Sequence, residues 1–305
     1  MFAHALGVSV GLVLLLYGAQ RAVDAAIDLA RAFGLPTLLI GGTLVAIGSS
    51  VPEISTALYA GLYGAGDFAV GHVVGSATSQ ITVGIGVVAL LSPLSLERGK
   101  IAVYGVGMIA AMGVMLLVVE SGAITRVEGV AMVALYCLFL VVRVHADEES
   151  VTASSDGDPD RPLGHTAGWM VVGFVLVAVG GHLLVAHSEA VAVSLGVPAY
   201  LLGLVTGFGT TVPEITIAAL AVHRNEGDIA VGTLLGSNVT DPLFSLGVGA
   251  IVGGFAIERV GATLTSATYM MVAAGLVALW FFLTGGISRR AAVGCIALYV
   301  PTFLL

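Results

Sequence analysis

Long apolar runs broken by short polar clusters fill this chain from one end to the other. None keeps the strict two-residue alternation of a half-buried strand, and about 20 apolar residues are what an α-helix needs to cross ~30 Å of hydrocarbon. The runs predict ten such helices, at about 5–31, 36–61, 67–92, 101–119, 126–144, 166–195, 198–222, 228–254, 262–284 and 289–305. The expected fold is an all-α membrane protein with ten transmembrane helices. Its first run reads as a retained span, because Met1-Phe2-Ala3-His4 has no basic segment and the helix continues through the amphipathic GAQRAVDAAIDLARAF.

Composition agrees with this pattern. Only 10% of the 305 residues are charged and 58% are hydrophobic, against roughly 25% charged in soluble domains. With 11 Lys+Arg and 19 Asp+Glu, the chain has no basic surplus to neutralise phosphates, which excludes a nucleic-acid binder. Cys137 and Cys295 lie in apolar runs and offer neither a disulfide framework nor a CxxC metal site.

The few charges orient the spans. Basic residues collect in short cytoplasmic loops, and placing the N-terminus outside puts Arg21, Arg31, Arg98, Lys100, Arg143, Arg161, Arg224, Arg289 and Arg290 inside. Only Arg126 and Arg259 then fall outside, so both termini are expected outside, in the cell (plasma) membrane. The one polar segment, HADEESVTASSDGDPDRPLG, becomes an acidic cytoplasmic linker over residues 145–165. Its six acids, Asp147, Glu148, Glu149, Asp156, Asp158 and Asp160, follow no EF-hand spacing and read as a solvated charge block.

On either side of the linker the chain repeats itself. Residues 46–76 realign on 207–237 at a constant offset of 161 without a gap, and Gly48, Val51, Pro52, Glu53, Ile54, Gly66, Asp67, Gly71, Gly75 and Ser76 all recur identically. Five spans separate each element from its copy, and an odd number reverses its direction through the membrane. The expected architecture is two inverted five-helix repeats, 1–144 with core motifs in 41–92 and 166–305 with core motifs in 202–254. Secondary transporters built this way bind their substrates near the midplane, between interrupted helices.

The repeated motifs place chemistry at that depth. Glu53 and Glu214 fall in the middle of apolar spans, where a charge costs at least ~2.5–3.5 kcal/mol. No Lys or Arg lies mid-span to pair with them. Pro52 and Pro213 precede these acids and cannot donate to the carbonyls of Gly48 and Gly209. The freed backbone oxygens near Ala46 to Ser49 and Gly207 to Thr210 are tolerated in a membrane only where they line a cavity or bind something. Ser50 and Glu53, and Thr211 and Glu214, are three apart and share a helix face; Ser76 and Gln80, and Ser237 and Asp241, are four apart and do likewise. Gly71-Gly75 and Gly232-Gly236 have the spacing that lets helices approach closely.

Together these residues form an all-oxygen pocket of three carboxylates, one amide, hydroxyls and carbonyls. Such ligands suit hard cations, above all Ca2+ with its 6–8 oxygens, and the absence of thiolates argues against zinc or copper. Carboxylates crowded in an apolar pocket need cations or protons to neutralise them, so ions sharing those ligands compete, as antiport requires. His72 lies one turn before Ser76 and can face the pathway, whereas His182, His187 and His223 read as peripheral; Trp169 and Trp280 read as lipid-facing or interfacial anchors.

The stretches GGTLVAIGSSVPEI with GHVVGSATSQ, and VTGFGTTVPEI with GTLLGSNVTDP, resemble the paired α-repeats of the sodium/calcium exchangers in the cation/calcium exchanger superfamily, prokaryotic type. The resemblance implies exchange of Na+ for Ca2+, usually three to one, by alternating access with helices 1 and 6 sliding against the rest. It further implies that Glu53 and Glu214 ligate Ca2+ with the backbone carbonyls of Ser49 and Thr210. Ser50, Ser76 and the Ala46 carbonyl would form one flanking Na+ site, Thr211, Ser237 and the Gly207 carbonyl the other, and Gln80 and Asp241 would border a middle site. Gln80 departs from the family's usual Asn or Asp there, and Thr211 from its usual Ser. The two VPE motifs favour sodium over a proton as the driver. The alternatives are a proton-coupled calcium exchanger and a cation channel, although no selectivity-filter run is present; an enzyme is not expected, since no HExxH or serine-nucleophile motif appears. Ca2+, Na+ and the bilayer are the expected partners, with no cofactor and no obligatory protein partner.

Overall fold

A computed structural model describes residues 2–64, 66–151, 163–194 and 207–303. Its helices are α1 (Phe2–Phe33), α2 (Thr37–Ser49), α3 (Val51–Tyr63), α4 (Gly66–Leu91), α5 (Arg98–Glu120), α6 (Arg126–Val151), α7 (Leu163–Ser194), α8 (Val212–His223), α9 (227–253), α10 (Val260–Thr284) and α11 (Arg289–Ala297). Among the described residues six helices are long and apolar enough to cross a membrane, and the bent pair α2–α3 makes a seventh. The expected spans at 198–222 and 289–305 are only partly matched. The start of the former lies outside the described residues, and the latter gives way after Ala297 to a 3-10 turn at Val300–Phe303 around Pro301, which cannot donate to a helical ladder.

Two boundaries differ from the sequence pattern. Helix α6 runs seven residues into the expected linker, to Val151, because Ala146 to Glu149 are acceptable helix formers and the first breaker, Gly157, comes later. Arg143, expected in a cytoplasmic loop, is instead enclosed by the bundle with its guanidinium 4.1 Å above the Tyr104 ring, a cation–π seat that offsets desolvation.

Apolar surface divides as lipid demands. Val106, Leu117, Leu138, Val171 and Trp280 are all more than half exposed on α5, α6, α7 and α10, which a bilayer tolerates and water does not. Helix α4 is the reverse: 89% of its most apolar window is buried, against 22% for α6. It is the central element, and it carries the first repeat's Ser76 and Gln80.

Small residues allow the tightest crossings. A Cβ on Gly236 would lie 2.8 Å from the Gly42 backbone, and one on Gly232 2.7 Å from Leu38 O, so α9 lies backbone-to-backbone on α2. Gly75 meets Gly207 in the repeat-related way, with a Cβ on Gly207 3.4 Å from Gly75 Cα. Residues 198–206, offset by 161 from 37–45 of α2, lie outside the described residues. Helices α1 and α7 cross through Gly18, Gly173 and Gly180, each against the other helix's backbone.

Four two-residue strands tie the repeats together. Leu94–Ser95 pairs antiparallel with Gly286–Ile287, and Ala123–Ile124 with Phe255–Ala256. The 161-residue offset carries Leu94–Ser95 onto Phe255–Ala256, so each repeat lends its third-to-fourth connection to the other repeat's fourth-to-fifth. This reciprocal exchange is what an inverted pair produces. The first ribbon shares its end of the bundle with Arg98 donating to Leu283 O at 3.1 Å and Arg289 donating to Leu91 O at 3.2 Å. At the second ribbon's end Asp67 accepts from the backbone of Glu258 and Arg259 at 3.3 and 3.1 Å.

Candidate cation-binding site

The break between α2 and α3 follows from Pro52. Backbone bonds run from Ser50 N to Ala46 O and resume from Ile54 N to Ser50 O, with Ser50 at φ −80 and ψ 12 and a 46° bend between the two halves. In the second repeat Thr211 N reaches back to Phe208 O and Ile215 N to Thr211 O, so Pro213 opens the same turn. Each proline sits in the first turn of the following helix, with Glu53 and Glu214 one residue on. The acids therefore emerge at helix N-termini, where the peptide dipoles favour negative charge.

Among the described residues, three π-helical turns shape the surroundings. They fall at Gly41–Val45, Gln80–Gly84 and Asp241–Ser245, and the last two are repeat-related. The extra residue in such a turn rotates the side chains that follow, and π turns gather at functional sites. Pro242 removes one backbone donor in the third of them. No periodicity in the sequence announces these turns.

Every expected site side chain is buried. Ser49, Ser50, Glu53, Ser76, Gln80, Thr211, Glu214, Ser237 and Asp241 are fully enclosed, and Thr210 is 8% exposed. Ser76 donates to Glu53 Oε1 at 3.2 Å. Ser49 donates to Ala46 O and Thr210 to Gly207 O, both at 3.1 Å. Yet Ser50 Oγ, Glu53 Oε2, both Glu214 carboxylate oxygens, Ser237 Oγ and Asn238 Oδ1 have no hydrogen-bond partner. Buried polar atoms left unmet are costly. Oxygens of both signs of the repeat, none of them facing a base, form the donor set a hard cation takes.

The flanking groups pair differently from the expected sets. Ser76 lies 3.4 Å from Thr211 Oγ1, and Thr211 also donates to Gly207 O at 3.1 Å. On the other flank Gly236, next to Ser237, sits against Ala46, and Ser50 lies beside Glu214. Ser76 thus joins Thr211 and the Gly207 carbonyl across the repeats while donating to Glu53 of its own. Two inverted units that interlock bring the third span of one against the broken span of the other, so the hydroxyls are exchanged between repeats.

Two residues at the site, Ser79 and Asn238, were not singled out from the sequence. Ser79 lies 2.6 Å from Thr211 Oγ1; its spacing of three from Ser76 was the available signal. Asn238 donates to Gln80 Oε1 at 3.0 Å and to Leu234 O at 2.8 Å, but its repeat partner is Ala77, so matching identities hides it. His72 is 3.1 Å from Thr210 Oγ1 and belongs to the wall of the site, whereas His187 meets His4 at 3.2 Å, away from it. Trp169 stacks on Arg21 at 4.8 Å, as an interfacial anchor does. Among the described residues no three His, Cys, Asp or Glu side chains converge as one metal-ligand group; the third carboxylate, Asp241, is held instead by Gln80 and Ser245.

Comparison with known proteins agrees with this fold. The sodium/calcium exchanger protein family matches residues 3–145 and 165–304. The chain is 34% identical over 98% of its length, and 96% of the relative's, to a putative antiporter CaxA of Alkalimonas amylolytica. It is 25% identical to the sodium/calcium exchanger MaX1 of Methanosarcina acetivorans over 97% of this chain and 95% of that one. A solved structure of the sodium-calcium exchanger NCX_Mj, soaked with Na+ and Sr2+, superposes with a TM-score of 0.80 at 26% identity, covering 100% of this chain and 99% of the other. With two inverted repeats, twin proline-broken spans and a buried all-oxygen centre, the chain belongs to the sodium/calcium exchanger family.

Proposed function

We propose that Glu53 and Glu214 hold Ca2+ in this antiporter, together with the backbone carbonyls of Ser49 and Thr210, and that Na+ competes for the same pocket from two flanks. The single observation behind this reading is the pair of repeat-related glutamates whose buried oxygens lack partners. Two carboxylates match the charge of one Ca2+, and their mutual repulsion without it makes an unloaded site unfavourable. Na+ enters at Thr211, Ser76 and the Gly207 carbonyl on one flank and at Ser50, Ser237 and the Ala46 carbonyl on the other. Each flank adjoins a glutamate, so Na+ occupancy draws charge away from the Ca2+ ligands. Exchange follows because the two loads share ligands and cannot be held together.

Alternating access uses the pseudo-symmetry: exchanging the conformations of repeats 1–144 and 166–305 turns an inward opening into an outward one. Helices α1 and α7 supply the moving part. Their crossing is lined by Gly18, Gly173 and Gly180, each against the other helix's backbone. The asymmetry of basic residues supports both termini outside a plasma membrane, with the ribbon of Leu94–Ser95 and Gly286–Ile287 on the cytoplasmic side.

Vesicles containing the purified chain and loaded with Na+ should accumulate labelled Ca2+ when external Na+ is removed. Absence of uptake refutes antiport by Na+. Uptake driven by a pH gradient with Na+ absent on both sides assigns the coupling to protons instead, and Ca2+ flux indifferent to any counter-ion gradient assigns a channel.

A further inference from the structure

The position between Gln80 and Asp241 differs in kind from the rest of the pocket. Both side chains are fully buried and related by the 161-residue offset. Gln80 Nε2 donates to Asp241 Oδ2 at 2.9 Å and to Ser76 Oγ at 3.1 Å, which uses both of its hydrogens. Gln80 Oε1 accepts from Asn238 Nδ2 at 3.0 Å. The orientation of the two amides is fixed from outside. Leu234 O accepts from Asn238 Nδ2 at 2.8 Å, so the Asn238 amino group faces Gln80, Gln80 presents its oxygen to it, and the Gln80 amino group faces the carboxylate. Asp241 Oδ1 is approached by Ser245 Oγ at 3.4 Å. Neither Gln80 nor Asp241 has an orphaned polar atom, whereas Ser50, Glu53, Glu214 and Ser237 all do.

We propose that Gln80 closes the middle position to cations: its carboxamide occupies the place of an ion at Asp241 and confines Ca2+ and Na+ to the Glu53–Glu214 pair and the two flanks. A carboxamide has one oxygen with which to ligate a cation, and here that oxygen is turned away from Asp241, towards Asn238. Its amino group, the positive end of the amide dipole, points at the carboxylate as a cation would. The length of glutamine matters. One methylene less withdraws the amide by about 1.5 Å, too far to bridge Asp241 and Ser76 at hydrogen-bond distance. Gln80 is therefore the residue that sets how many cations this exchanger loads, and Asp241 is a hydrogen-bonded anchor for the π turn it begins.

This inference rests on the antiport reading above, and the test separates the two. Two measurements are made on the full chain in proteoliposomes: Na+ dependence of labelled Ca2+ uptake for wild type, Gln80→Glu and Gln80→Asn, and infrared difference spectra of wild type on exchanging Na+ for Ca2+. Gln80→Glu keeps the shape but sets two carboxylates face to face, which requires a further cation or proton between them. The half-saturating Na+ concentration is expected to shift at least fivefold with a steeper dependence, and Gln80→Asn to shift it as Asp241 is freed. In the spectra, the carboxylate band assigned to Asp241 by its loss in Asp241→Asn should stay still when ions are exchanged, while the bands lost in Glu53→Gln and Glu214→Gln move. Wild-type vesicles without Na+-driven uptake overturn the antiport reading itself. Wild-type uptake with an Asp241 band that shifts between Na+ and Ca2+, or Gln80 variants with unchanged Na+ dependence, overturn the assignment of Gln80. If a Gln80 variant fails to fold, the wild-type spectra decide alone.

Discussion

Glu214→Gln should move stability in opposite directions with and without Ca2+. Both Glu214 oxygens are buried and lack hydrogen-bond partners, so without cations the carboxylate is a liability of at least ~2.5–3.5 kcal/mol at bilayer depth. A neutral amide of the same shape removes most of it, and the variant should melt above wild type in Ca2+-free, Na+-free detergent. Once Ca2+ is present the sign reverses. Removing one partner of a buried charge interaction costs about 3–5 kcal/mol, which lowers affinity at least 100-fold at about 1.4 kcal/mol per decade. At free Ca2+ 100 times the wild-type Kd, wild type gains about 2.7 kcal/mol, while a variant binding 100-fold more weakly gains about 0.4 kcal/mol. At roughly 2–4 °C per kcal/mol, a thermal shift assay should show a Ca2+-induced rise of about 5–10 °C in wild type and about 1 °C in the variant. A Glu214→Gln protein that melts below wild type without ions, or keeps the full Ca2+ shift, would refute the placement of Ca2+ on this carboxylate.

Other perturbations test other parts of the structure. Thr211→Val keeps the volume but removes the hydroxyl that meets Ser76, Ser79 and Gly207 O; at ~1–1.5 kcal/mol per lost interaction, Na+-driven uptake should need about tenfold more Na+, and Thr211→Ser should restore it. Gly236→Ala places a Cβ 2.8 Å from the Gly42 backbone and should lower stability by about 1–3 kcal/mol, whereas Gly275→Ala, whose Cβ meets nothing nearer than 3.8 Å, should be neutral or stabilising by ~0.5–1 kcal/mol; melting curves decide both. Cysteines at Ala123 and Ala256, which are register partners, should form a disulfide on mild oxidation, since antiparallel partners lie about 4.5–5.5 Å apart; failure would break the reciprocal tie between repeats. In a chain with Cys137→Ala and Cys295→Ala, an impermeant thiol reagent should reach Glu97→Cys only from the cytoplasmic side and Glu258→Cys only from outside, and the opposite labelling would invert the orientation.

Much of this molecule is written locally in its sequence. Span positions follow from hydropathy, because a helix surrounded by lipid must be apolar over a fixed length whatever its neighbours are. The inverted repeat follows from one offset and an odd number of spans, and the two Pro-Glu motifs show the broken helices because proline's missing donor acts within a single turn. Glu53 and Glu214 stand out as acids in apolar stretches with no Lys or Arg beside them in sequence. What tertiary structure alone decided is the partnering. Ser76 meets Thr211 across 135 positions and Gln80 meets Asp241 across 161. Spacing along one helix cannot say which helix lies opposite. That depends on where Gly75, Gly207 and Gly236 let backbones touch, and on three π turns that no periodicity marks. The same reason hides the partner of the third carboxylate: only the fold brings the Gln80 side chain across the repeat interface to donate to Asp241.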